Sequence, residues 1–262
     1  MRARPSWMAI LALTPALLSA APPAGSRISF VSCPIVRDTR SVPCWLSDYD
    51  GDRYYLTIQS DVSAEVQPPM LGHQVLVEGV VSAAPQICGG IALSGVRLSV
   101  MPERDANCNM QLPAEDRYTI DFNPRPPGPS GGRLAFDPGP GATAAPPPPQ
   151  GTQVIDLYFD FDRAVSFRHP GELVKLLQVA RQVGAKSLRI TGVRGAHRLS
   201  NGTVLRESPE IGQRRAGEVA RLLAGAGLNL PATTNWVDGI NDADGVDDWR
   251  SRRVTVVLEA QR

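Results

Sequence analysis

"GVRGAHRLSNGTVLRESPEIGQRRA", residues 192–216, decides how this chain is read. It leaves "SLRITGV" (187–193), a short alternating apolar run of strand type. It enters "SPEIGQRRAGEVARLLAGAGL" (208–228), where apolar positions return at helical spacing. The expected helix has Ser208 as its N-cap, Pro209 in its first turn and Gly227 as its stop. Gly192 stands near the end of the strand, and the loop beyond it carries Arg194 and no acid before Glu207. Arg215 is four residues from both Ile211 and Val219, so it borders the apolar stripe and is directed along the surface near the loop. Arg214 is turned away and falls four residues before Glu218, an ion-pair spacing.

Outward from this stretch, residues 153–262 alternate strands with helices. "QVIDLYFDFD" (153–162) opens as a half-buried strand, and "PGELVKLLQVARQVGAK" (170–186) places Leu173, Leu176, Leu177 and Ala180 on one helix face and ends at Gly184. "TTNWVDG" (233–239) and "RRVTVVLEA" (252–260) are further strands. The order β-α-β-α-β-β predicts an α+β domain of two layers, with both helices on one face of the sheet.

Residues 123–152 are dominated by Pro, Gly, Ala and Ser, and four consecutive prolines stiffen the far end. This composition cannot bury a core and reads as a linker. Residues 27–122 read as a small all-β domain. "RYYLTIQS", "HQVLVEGVVS" and "IALSGVRLSVM" are strand-like runs, and Asp50-Gly51 between "CWLSDY" and "DRYYLTI" is a two-residue hairpin signal. The number and spacing of these strands resemble an OB-like barrel. Trp45, Tyr54 and Tyr55 fit a barrel core better than a platform for stacking a glycan or peptide.

Four cysteines, Cys33, Cys44, Cys88 and Cys108, all fall in this first domain. An even count in an exported domain implies two disulfides. Of the three possible connectivities, the neighbour pairs Cys33–Cys44 and Cys88–Cys108 are expected. A zinc site would call for a C-x-x-C knuckle, which is absent.

Residues 1–21 have a basic start at Arg2 and Arg4, an apolar core from Trp7 to Leu18 and small residues at Ser19-Ala20-Ala21. This is the pattern of a cleaved signal peptide, and roughly 12 apolar residues are too few to span ~30 Å of hydrocarbon. No transmembrane segment is expected in the mature chain. A formal net charge of +1 with dispersed Lys and Arg gives no electrostatic footprint for nucleic acid. No nucleophile triad or phosphate-cradling Gly loop stands out, so neither an enzyme nor a cofactor is expected. His169 and His197 stand alone and read as surface histidines, not metal ligands. "DYDGD" reads as a hairpin tip, and "NDADGVDD" (241–248) as an acidic loop, because Ile240 occupies the position that would begin a calcium loop.

Taken together, "LYFDFD", "ITG", "SPEIGQRRAGEVARLLAGAGL" and "RRVTVVLEA" resemble the OmpA-like (Pal/MotB-type) peptidoglycan-association domain over nearly all of residues 153–262. Ile211, Arg215 and Ala216 match the Leu, Arg and Ala of its N-x-x-L-S-x-x-R-A motif, while Ser208 and Gly212 replace the Asn and Ser. The resemblance implies a periplasmic, cell-wall- or outer-membrane-associated protein of a Gram-negative bacterium. It would bind peptidoglycan without covalent attachment and take other envelope proteins as further partners.

The ligand implied is the diaminopimelate of the stem peptide, a zwitterion needing a guanidinium for its carboxylate and an acid for its ammonium. Arg215 and the helix start at Ser208 would take the carboxylate. Where the family has Thr-Asp after Gly192, this chain has Arg194-Gly195, in a lengthened loop. Glu207, Asp160 or Asp162 would have to replace the missing acid. Otherwise Glu207 is a surface acid favouring the helix dipole. Two alternatives follow from the missing charge: the fold serves as an interaction or structural module without wall binding, or the β domain carries the recognition.

Overall fold

A computed structural model describes residues 22–59, 68–120, 151–165, 170–240 and 243–260. The expected signal segment (1–21), all but the last two residues of the 123–152 linker, and His169 lie outside the described residues.

The first part of the chain is all-β: β1 (Arg27–Ser32), β2 (Pro34–Arg37), β3 (Cys44–Tyr49), β4 (Asp52–Ile58), β5 (His73–Val81), β6 (Ile91–Arg104) and the short β7 (Gln111–Leu112). Their order in the sheet is β1-β5-β6-β4-β3-β2-β7. Cys33 alone separates β1 from β2, and β1 pairs with β5 while β2 pairs with β3. One bent run of chain therefore joins the two sides, and the pairing runs round a circuit with β4 and β6 parallel and its other pairs antiparallel.

The tight turn between β3 and β4 needs positive φ at both central residues, which Asp50 (52°) and Gly51 (85°) supply. Phe30, Trp45, Tyr54, Leu56, Val75, Val77 and Leu98 fill the interior, and the Phe30 ring stacks on Tyr49 at 4.6 Å. Each such fully buried side chain contributes about 2 kcal/mol. Trp45 and Tyr54 are thus core and not a stacking platform.

The disulfides correct the sequence expectation. They join Cys33 to Cys108 and Cys44 to Cys88. The antiparallel register sets Cys44 opposite Arg37, leaving Cys33 four residues further along the strand. That offset is roughly 13 Å, beyond the ~7 Å Cα separation a disulfide can bridge.

The second part contains β8 (Gln153–Tyr158), α1 (Pro170–Gln182), β9 (Ser187–Arg194), β10 (Ala196–Arg198), β11 (Val204–Arg206), α2 (Ile211–Gly225), β12 (Ala232–Asp238) and β13 (Arg253–Glu259). The strand order is β12-β9-β13-β8, with β12 and β9 parallel. Leu176 and Ala180 of α1 share one apolar cluster with Ala216, Val219 and Leu223 of α2 and with Ile190, Val254 and Val256 of the sheet. Both helices therefore cover the same face. The helix–sheet contact is closest where a Cβ on Gly192 would fall 1.9 Å from the carbonyl oxygen of Gly212. Gly192 and Gly212 are thus seen first as packing residues.

The lengthened loop is the hairpin β10–β11, an element the expected order lacked. It docks on the first sheet. Leu199 packs with Leu76 and Phe161, the Ser29 amide donates to Ser200 Oγ at 2.8 Å, and the Ser200 amide donates back to the Ser29 carbonyl at 2.8 Å. Among the described residues, no helix is long and apolar enough to cross a membrane.

Candidate functional site

The end of β9, the hairpin and the first turn of α2 bring Arg215, Glu207, Ser208, Gly192 and Arg194 together. Arg215 does not lie along the surface; it is fully buried, and so in effect is Glu207. The guanidinium grips the carboxylate through both ends: Nη2 donates to Oε1 at 2.6 Å and Nη1 to Oε2 at 2.8 Å. Its remaining donors reach backbone carbonyls. Nε donates to Arg163 (2.8 Å), Nη1 to Val193 (3.1 Å) and Nη2 to Asp160 (3.0 Å). An arginine has five N–H donors, and here each has an acceptor. One face of the guanidinium lies over the Phe159 ring, 5.0 Å from its centroid.

Glu207 is equally saturated. Besides Arg215, Oε1 accepts from the Asp162 amide and Oε2 from the Gly195 amide, each at 2.8 Å. The reading of Glu207 as a surface acid is therefore corrected. The β10–β11 hairpin returns the chain beside Gly195, and the Glu207 amide donates to the Gly195 carbonyl at 3.2 Å. This folds the acid inward onto Arg215.

Ser208 does not cap α2. The helix begins at Ile211, with Glu210 in the cap position and no side-chain cap bond. Ser208 instead donates through its amide (2.9 Å) and its hydroxyl (2.6 Å) to the Asp162 carboxylate. Asp162 adopts a left-handed backbone (φ 54°), which lets its amide hold Glu207 while its side chain holds Ser208. Arg194 fastens the same loop: Nε donates to the Glu207 carbonyl at 2.7 Å, and Nη1 pairs with Asp238 at 3.1 Å. Glu218 pairs with Arg221 rather than with Arg214.

A second polar cluster lies where the hairpin meets the first sheet, and spacing in the sequence did not reveal it. His197 is buried, contrary to its reading as a surface residue. Its Nε2 is hydrogen-bonded to Ser29 Oγ, and its Nδ1 lies 3.5 Å from Glu78 and 3.6 Å from Asp248 without a hydrogen bond. Arg252, also fully buried, donates to Glu78 at 2.5 Å. Burial lowers the His197 pKa; Arg252 lowers it further, while Glu78 and Asp248 oppose the shift. The acidic loop ends in Asp248, whose carboxylate accepts from the amides of Arg198, Asp244 and Gly245.

Among the described residues, Cys33, Asp105 and Cys108 form a group with metal-ligating atoms within 4.8 Å of one another. Both sulfurs are already joined in a disulfide, so these atoms do not make a thiolate metal site.

No family model matches the sequence, and no curated protein matches it. Among solved structures, the chain is similar to the OmpA-like domain of FopA1 from Francisella tularensis subsp. tularensis SCHU S4, at 16% identity and a TM-score of 0.32. That similarity covers 42% of this chain and 73% of the other. It is also similar to the cell wall anchor of the T6SS from Pseudomonas aeruginosa, at 19% identity and a TM-score of 0.32, over 42% of this chain and 83% of that one.

Proposed function

We propose that this is an exported envelope protein whose OmpA-like module, beside a disulfide-held OB-like barrel, serves as a structural and interaction unit. In this reading Glu207 takes the place that a ligand carboxylate would have in the cradle. The observation that carries it is the complete internal pairing of Arg215. A guanidinium with every N–H engaged has nothing left to offer a diaminopimelate carboxylate. The positively charged N-terminal segment, the disulfides and the resemblance to OmpA-like domains support a place in the periplasm, near the wall or outer membrane.

A second reading keeps the wall as ligand. Two backbone amides and a two-pronged guanidinium make a carboxylate receptor. A stem-peptide carboxylate would bind there by exchanging with Glu207. Co-sedimentation of the full mature chain with purified peptidoglycan separates the two readings. Self-occupation leaves the wild type in the supernatant. Wild-type sedimentation that is abolished by Arg215→Ala, in a variant still folded by circular dichroism, overturns it and favours exchange.

A further inference from the structure

The seam between the first sheet and the β10–β11 hairpin forms a half-open cavity of about 310 Å³. Its lining comes from both parts of the chain: Ser29 and Glu78 of the barrel strands, Arg97 of β6, His197 of the hairpin, and Asp244 and Trp249 from the segment before β13. This is the lower end of the size range of small-molecule sites.

The charges around the cavity are unequally satisfied. Arg27 is paired with Asp247 at 3.3 Å, and Glu78 with Arg252 at 2.5 Å. Arg198 donates to the carbonyls of Ala243 and Gly202. Arg97 is different. It stands directly across the β5–β6 pair from Glu78 in register, but Glu78 reaches Arg252. Among the described residues Arg97 has no hydrogen bond or ion pair; its guanidinium lies 3.8 Å from the centroid of the Trp249 ring. Burial lowers its pKa, while the charges of Glu78 and Asp247, neither of them hydrogen-bonded to it, oppose the shift.

Trp249 is itself fixed, edge-on to Tyr158 at 4.9 Å and with its Nε1 donating to Asp247 at 3.3 Å. Arg97 is thus a planar cation held in place over an aromatic face, with its donor edge uncommitted. In the same lining, His197 Nδ1 is a buried nitrogen without a hydrogen-bond partner.

We propose that this cavity binds a small carboxylate ligand, anchored by the Arg97 guanidinium on its Trp249 platform. A carboxylate matches the planar fork of arginine. The acids Glu78, Asp244 and Asp247 share the lining and disfavour a phosphate, which carries about −1.5 to −2 charge near neutral pH. The site is separate from the Arg215–Glu207 pair and does not depend on the function proposed above.

The test is an NMR titration of the full mature chain, following the indole Nε1–H signal of Trp249, assigned by its loss in Trp249→Phe. The probes are sodium acetate, sodium succinate and inorganic phosphate at matched ionic strength. Saturable shifts are expected with at least one carboxylate and not with phosphate. Affinity should weaken at least tenfold in Arg97→Gln and detectably in Arg97→Lys, both with unchanged thermal midpoints in the absence of probe. The proposal is overturned if neither carboxylate shifts the signal, if the shifts survive Arg97→Gln, or if phosphate matches the carboxylates.

Discussion

Glu207 and Arg215, only eight residues apart in sequence, close on one another through two hydrogen bonds of 2.8 and 2.6 Å in a fully buried pocket. Taking two charges out of water is costly, and an intact buried pair repays that cost only when its other donors and acceptors are satisfied. Here they are: three backbone carbonyls meet the guanidinium and two backbone amides meet the carboxylate. The pair ties the strand end, the hairpin and the helix into one unit.

Removing one member leaves the other charged, buried and unpaired. Arg215→Ala and Glu207→Ala are each expected to lower unfolding free energy by about 3–5 kcal/mol in urea denaturation. The double variant should lose less than the sum of the two, because it leaves no orphaned charge.

Gly192→Ala is expected to destabilise by about 2 kcal/mol or more, because its methyl group would meet a backbone carbonyl and not a yielding side chain. Gly217→Ala serves as the control: it sits on α2 with nothing within 4 Å of an added Cβ, and helix propensity favours the change. Thermal denaturation of the two variants should move in opposite directions.

Peptide mapping without reduction is expected to recover Cys33 linked to Cys108 and Cys44 linked to Cys88. The loops closed span 75 and 44 residues. Loop entropy then assigns each bond on the order of 4 kcal/mol, so Cys44→Ser with Cys88→Ser should lower the denaturation midpoint markedly.

Burial holds the folded His197 below its usual pKa. The unfolded chain therefore takes up a proton first as pH falls. The stability contributed by a neutral His197 is complete above pH ~6.5, declines as pH drops below that value, and levels off once pH passes below the folded pKa. His197→Gln should flatten this part of the stability–pH curve, measured by denaturation between pH 5 and 8.

Apart from the β10–β11 hairpin, the order of strands and helices in residues 153–262 was legible because their periodicities are local. Ile190, Ala216, Val219 and Val256 alternate or recur as burial demands. The Asp50-Gly51 turn was legible for the same reason. The disulfide pairing was not, because it depends on β2–β3 register, which separates Cys33 from Cys44. Ser208 looked like a cap because its residue type suits one, but a long-range partner, Asp162, engages both its amide and its hydroxyl. The fate of Glu207 turned on the hairpin that carries it back to Gly195. His197 and Arg252 lie at a contact between distant parts of the chain, which no short pattern encodes.

The self-occupied cradle is tested most directly by the Nε–H NMR signal of Arg215, assigned by its loss in Arg215→Lys and followed while a diaminopimelate-containing muropeptide is added to the chain. We expect a signal protected from solvent exchange and unmoved by the muropeptide. A saturable shift with loss of that protection would mean that Glu207 yields to the wall fragment, contradicting the closed pair.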